Sequence, residues 1–105
     1  MWPNWASPEV LRGEKPVEAS DVYNFGLIVY EMLTGEVPNS NRSLAQLTGA
    51  VGHFEDSLKA PINCEKVLKQ IVNNCLIPDA ERRPCFTDII KIIEESERPI
   101  KHPSK

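Results

Sequence analysis

Ser20-Asp21-Val22-Tyr23-Asn24-Phe25-Gly26-Leu27-Ile28-Val29-Tyr30-Glu31-Met32-Leu33-Thr34-Gly35 is the stretch on which the fold turns. At about 100° per residue, its apolar members Val22, Phe25, Leu27, Ile28, Val29, Met32 and Leu33 surround most of a helix. A helix apolar on nearly all sides belongs in the middle of a larger packing unit, since no single buried face accounts for it. Ser20 and Asp21 offer side-chain oxygens to cap its start, Gly35 suits a left-handed stop, and Pro38 prevents resumption. The expected span is 21–33.

Working outward, residues 1–20 carry Pro3, Pro8 and Pro16 and read as largely irregular, with one short helix from Pro8 to Leu11, because proline fits a first helical turn and not an interior. Residues 39–63 also look irregular. One weak helix is expected over 43–51, with Leu44, Leu47 and Val51 on one stripe. From Cys64 the pattern sharpens: Val67, Leu68, Ile71, Val72 and Cys75 recur at helical spacing, with Glu65, Lys66, Lys69, Gln70 and Asn73 on the other face. After Pro78 and Pro84, Phe86, Ile89, Ile90 and Ile93 form another stripe running to about Glu97. The charged segment 98–105 is expected to be a flexible tail. No alternation of period two could build a sheet, so the fold class is all-α, about four main helices around the central one.

Composition sets limits on function. The 105 residues are enough for one modest core, which buries roughly two-thirds of the unfolded surface. Twelve basic against 15 acidic residues give a net charge of −3, with no basic block, so no nucleic-acid or anionic-membrane partner is expected. Cys64, Cys75 and Cys85 are odd in number and form no C-x-x-C pair, which argues against a disulfide framework and for a reducing, cytoplasmic setting. Cys64 and Cys75 read as packing residues. His53 and His102 stand at no metal-site spacing, and no metal is expected. The first residues lack the basic region and apolar run of a signal peptide, and Gly26 and Glu31 interrupt the longest apolar run.

Three segments in fixed order resemble protein kinases, specifically the tyrosine-kinase-like group and its Ser/Thr relatives. Pro3-Asn4-Trp5-Ala6-Ser7-Pro8-Glu9 is similar to the end of an activation segment, P-x-W-M-A-P-E in the family. Ser20-Asp21-Val22-Tyr23-Asn24-Phe25-Gly26, continuing through Tyr30-Glu31-Met32-Leu33-Thr34-Gly35 to Pro38, resembles S-D-V-Y-S-F-G … W-E-M-L-T-G-x-x-P. Cys75-Leu76-Ile77-Pro78-Asp79 with Arg83-Pro84 and Phe86 resembles C-W-x-x-D-P-x-x-R-P-x-F. The resemblance covers residues 3 to about 97 and implies the C-terminal part of the large lobe, from the A-P-E region to the last helix.

The resemblance assigns roles. It pairs Glu9 with Arg83, tying the activation segment to the last helices; a carboxylate taken out of water needs such a partner, and arginine offers a planar fork of donors. It makes Asp21 the anchor of a catalytic loop, which in this chain leaves it only the part of a helix cap. Trp5 and Ala6 resemble the end of the loop that packs against the substrate residue following the phosphorylated one, although a core anchor is an equal reading of Trp5. Glu31 resembles a glutamate that meets substrate arginine in some kinases, although a surface acid is the simpler reading. The sequence departs from the pattern at Ser7, Asn39, Leu76 and Ala80, and at Cys85, where the family has serine or threonine capping the last helix with Asp88 as its capping-box partner; a weaker cap and a buried, inert thiol are expected at Cys85.

The 105 residues contain no G-x-G-x-x-G loop, V-A-I-K strand, H-R-D-x-x-x-x-N loop or D-F-G, all of which precede the A-P-E region in kinase order. ATP and magnesium are therefore expected only in an intact parent, and this chain alone is expected to be inactive. The alternative is a non-catalytic kinase-like binding module that docks on a kinase or another protein. Under either reading the helix over 21–33 should expose a contiguous apolar patch unless missing kinase segments or a protein partner cover it.

Overall fold

The computed structural model describes residues 3–53 and 58–97; the tail expected at 98–105 and His102 lie outside them. Among the described residues there are five α-helices: α1 (Pro8–Leu11), α2 (Glu18–Thr34), α3 (Leu44–Leu47), α4 (Lys66–Cys75) and α5 (Phe86–Glu97). Short 3-10 turns cover Pro3–Trp5 and Ala80–Arg82, a π-helical turn follows α3 over Thr48–His53, and no strand occurs among the described residues. The fold is all-α, as the periodicity implies.

The central helix α2 starts three residues earlier than the cap residues suggest. Val17 occupies the cap position with extended backbone, and its N–H donates to Ser20 Oγ at 3.1 Å. Asp21 is thus inside the first turn and exposed; it does not cap the helix. A carboxylate there still sits favourably against the positive end of the helix dipole. At the other end Gly35 adopts φ 72° and its N–H reaches Glu31 O at 2.7 Å, a left-handed stop that only a residue without Cβ takes at no steric cost.

Two apolar clusters fix α2 against its neighbours. Tyr23, Leu27 and Val29 pack with Val72 and Leu76 of the α4 end, while Val22 meets Ile71, Cys75 and Ile89 from α4 and α5. Phe25 bridges both and meets Phe86 edge to face, ring centroids 5.8 Å apart. The α2–α4 crossing is close because Gly26 lies at it. A Cβ on Gly26 would stand 2.6 Å from Cys75 Cβ and 3.0 Å from Leu76 Cδ2. Cys75 is correspondingly buried, and burial pushes its thiol up to about 12 despite the opposing field of Arg83. It is a packing residue with no thiolate chemistry at neutral pH.

The weak helix expected over 43–51 is split. Ser43 and Gln46 form a reciprocal capping box, Gln46 N donating to Ser43 Oγ at 3.2 Å and Ser43 N to Gln46 Oε1 at 2.8 Å. After Leu47 the helix widens into the π-helical turn, which packs on α1 through Gly52 and the Arg12 Nη1 bond to Gly52 O at 2.7 Å. Leu47 and Val51 are buried, but Leu44, expected on the same stripe, is 61% exposed; α1 packs chiefly on the later turn.

Not all of α2 is covered. Ile28 and Met32 are 43% and 73% exposed, and at seven and eleven residues from Asp21 they share one stripe with it. The chain therefore carries a buried helix with one solvent-facing apolar edge.

Candidate functional site

Glu9 and Arg83 lie 74 residues apart in sequence and meet beneath the amino end of α2. Glu9 is placed by α1, which begins at Pro8, a residue preorganised for a first turn. Arg83 is placed by a turn that Asp79 caps, its Oδ1 accepting from Glu81 N at 3.0 Å; Arg83 follows in extended conformation, and Pro84 keeps it out of α5.

The pair is bidentate. Arg83 Nη1 donates to Glu9 Oε2 at 2.8 Å and Nη2 to Oε1 at 2.9 Å, with both side chains buried. The remaining guanidinium donors are also used. Nε donates to Ile77 O at 2.7 Å, Nη1 to Ala19 O at 2.8 Å and Nη2 to Pro78 O at 2.9 Å. Five donors thus meet five acceptors, and the guanidinium carbon lies 4.8 Å from the Tyr23 ring centroid. Glu9 Oε2 also accepts from Ser20 Oγ at 2.7 Å, so Ser20 joins the ion pair to the helix start that it caps. Burial alone would raise the Glu9 carboxyl, but the bonds from Arg83 and Ser20 outweigh it and hold the group at about 2, well below the usual carboxylate range.

A second constellation was not legible as a site. Four side chains pin the leading turn to α2 and the loop after it. Asn4 Nδ2 donates to Pro38 O at 3.0 Å and Asn39 Nδ2 to Asn4 O at 3.2 Å. Asn24 Nδ2 donates to Trp5 O at 3.3 Å, and Trp5 Nε1 to Glu31 Oε1 at 3.2 Å. Trp5 is half-buried against the α2 core, and Ala6 is buried. Asn39 has φ 56°, a left-handed conformation that asparagine tolerates better than other residues bearing a Cβ. The available signal was the replacement of the family's serine and phenylalanine by Asn24 and Asn39. A departure from a pattern does not by itself say where the new amide reaches.

The other sequence candidates are dispersed. Asp21 stays apart from the pair on the exposed stripe of α2. Cys85, expected to be buried, is instead exposed before α5, and its N–H donates to Asp88 Oδ2 at 3.4 Å, one long half of a capping box. Ser7, standing for alanine in the A-P-E pattern, is 1% exposed, and its Oγ has no hydrogen-bond partner among the described residues. Among the described residues no group of three or more His, Cys, Asp or Glu comes together that could hold a metal ion, and no helix is long and apolar enough to cross a membrane.

Comparison with known proteins gives this geometry its context. The sequence profile of the protein tyrosine and serine/threonine kinase family matches residues 1–93. The chain is 37% identical over 91 residues to the serine/threonine-protein kinase CTR1 of Arabidopsis thaliana and 37% over 93 residues to the dual specificity protein kinase pyk3 of Dictyostelium discoideum. It is 31% identical over 96 residues to mitogen-activated protein kinase kinase kinase 11 of Homo sapiens. These matches cover 87%, 88% and 91% of this chain but only 11%, 7% and 11% of the relatives' own lengths. An ion pair joining the first helix to the last turn, a buried central helix, and a family match over nearly the whole sequence lead to one conclusion: the chain belongs to the protein tyrosine and serine/threonine kinase family, as a fragment of its catalytic domain.

Proposed function

We propose that residues 1–97 form the carboxy-terminal part of the large lobe of a protein kinase catalytic domain. The intact domain would transfer the γ-phosphate of ATP to Ser/Thr or Tyr hydroxyls of proteins, and this chain alone would be inactive. The observation that carries the reading is the buried bidentate pair of Glu9 and Arg83, which ties the segment resembling A-P-E to the segment resembling the family's last helices. In this reading the pair holds the substrate-side turn, with Trp5 and Ala6 as its remnant of the substrate loop.

Kinases use ATP and magnesium, and the residues present do not fit them. The sequence has no glycine-rich phosphate loop, and the described residues bring no acidic cluster together, so no step is routed through either group. What this chain would contribute is support. Asp21, exposed at the amino end of α2, would accept backbone hydrogen bonds from a catalytic loop, and the Ile28–Met32 edge below it would be covered by the same missing segments. The setting would be cytoplasmic, without nucleic-acid or membrane partners, in keeping with the net charge of −3 and the absence of cysteine pairs.

The test is a phosphotransfer assay. The isolated chain should read background, and the chain joined in frame behind the nucleotide-binding and catalytic segments of a relative should show magnesium-dependent transfer to protein. Turnover by the isolated chain, or a folded joined protein without turnover, would sink the reading. The exposed Ile28–Met32 edge favours one alternative, a binding module that uses the lobe without catalysis. A stable monomer that binds a protein saturably through this edge, and loses that binding on Met32→Lys, would support the alternative.

A further inference from the structure

We infer that Asn39 and Asn24 are positioning residues: their side-chain amides clamp the turn Pro3–Trp5 and so set the register in which a substrate peptide meets it. This inference rests on the proposed kinase function. The clamp itself rests on geometry.

Every amide in it is spent on backbone. Asn39 holds Asn4 O, Asn4 holds Pro38 O and Asn24 holds Trp5 O, so the turn is tied both to α2 and to the loop after it through main-chain carbonyls. Anchoring of its carbonyls by Asn39 and Asn24, together with the Asn4 amide on Pro38 O and the Trp5 indole N–H on Glu31 Oε1, fixes where the turn and its side chains lie. The bond from Asn39 Nδ2 to Asn4 O crosses 35 residues, and Asn39 is 9% exposed at φ 56°, so the amide is directed inward from a backbone conformation that asparagine accommodates. On the far side of the clamp, Pro38 and Asn39 line an open cavity of about 700 Å³ with Tyr30, Glu36 and Leu58. That volume admits several peptide residues, so the clamp stands between the turn and a concave surface within reach of a bound chain.

Two variants separate the roles. Asn39→Asp keeps shape and left-handed tolerance but replaces the donor with a carboxylate facing Asn4 O. Asn24→Ser restores the family's residue and withdraws the amide, and it stands in if the first variant fails to fold. In the full 105-residue chain, exchange of the Ala6 amide, which closes the turn on Pro3 O at 3.1 Å, should quicken about ten-fold or more, while the Leu76 amide in α4's last turn stays protected. Unchanged Ala6 protection in both variants overturns the clamp.

In the joined protein, the variants should raise KM for a peptide substrate about five-fold or more while kcat and KM for ATP stay within about two-fold. Transfer with an unmoved peptide KM overturns the positioning role alone. No transfer by the unsubstituted, folded joined protein overturns it together with the kinase reading.

Discussion

The two long faces of α2 make opposite use of similar side chains. On one face Val22, Tyr23, Leu27 and Val29 are 0–6% exposed, Gly26 lets α4 approach, and the helix start is tied into the Glu9–Arg83 pair. On the other face Ile28 and Met32 stand in solvent beside Asp21. The difference teaches that hydrophobicity alone does not say which part of a helix this chain covers. Cover follows where close approach is sterically allowed and where polar groups are paired.

Removing one partner of the ion pair should separate the faces most sharply. Arg83→Leu leaves the Glu9 carboxylate buried with its two strongest donors gone, and should cost about 3–5 kcal/mol in urea unfolding. A loss no larger than that of a surface substitution would mean the pair is not what closes the packed face.

The same pair predicts a pH dependence. Glu9 is depressed to about 2 in the folded chain, so its contribution is fully present above the unfolded carboxyl value of about 4.3 and is lost as pH falls from there through 2. The two-unit difference corresponds to about 3 kcal/mol, measurable as a falling urea midpoint between neutral and acid pH. In Arg83→Leu this acid-side slope should flatten or reverse.

Gly26→Ala comes next in size. The new Cβ would meet backbone-bound Cys75 Cβ at 2.6 Å, which no rotamer change relieves, so α2 and α4 must part at a cost of about 1–3 kcal/mol. Ser7→Ala should act in the opposite direction. It removes a buried hydroxyl without a partner and should raise stability by about 1 kcal/mol, seen as a higher midpoint in the same titration.

On the exposed face, Ile28→Ser with Met32→Lys should change stability by less than about 0.5 kcal/mol per site while reducing binding of an apolar dye and self-association in sedimentation. A large stability loss there would erase the contrast between the faces.

Much of the packed face was legible in the sequence, because apolar spacing reports it directly: Val67, Leu68, Ile71, Val72 and Cys75 sit on α4 as their periodicity requires, and Gly35 ends α2. The start of α2 was not. Ser20 works backwards from inside the helix, accepting from Val17 N and donating to Glu9, so the side chain that looks like a cap residue is three positions inside the helix. Leu44 was misplaced because a stripe predicts a face and cannot predict the widening of the next turn, Thr48–His53. The asparagine clamp stayed hidden for a different reason: amide side chains reaching carbonyls 34 and 35 residues away leave no local spacing to read.

The 74-residue separation of Glu9 from Arg83 has a consequence for how the chain comes into being. On a ribosome Glu9 emerges first and stays hydrated while α2, α3 and α4 follow, because a carboxylate without its counter-charge resists dehydration. The Glu9 carboxylate, and with it α1, can therefore be fully buried only after residue 83 has left the exit tunnel. A nascent chain arrested before that point should be open to proteases at α1, and one arrested a few turns later should resist them.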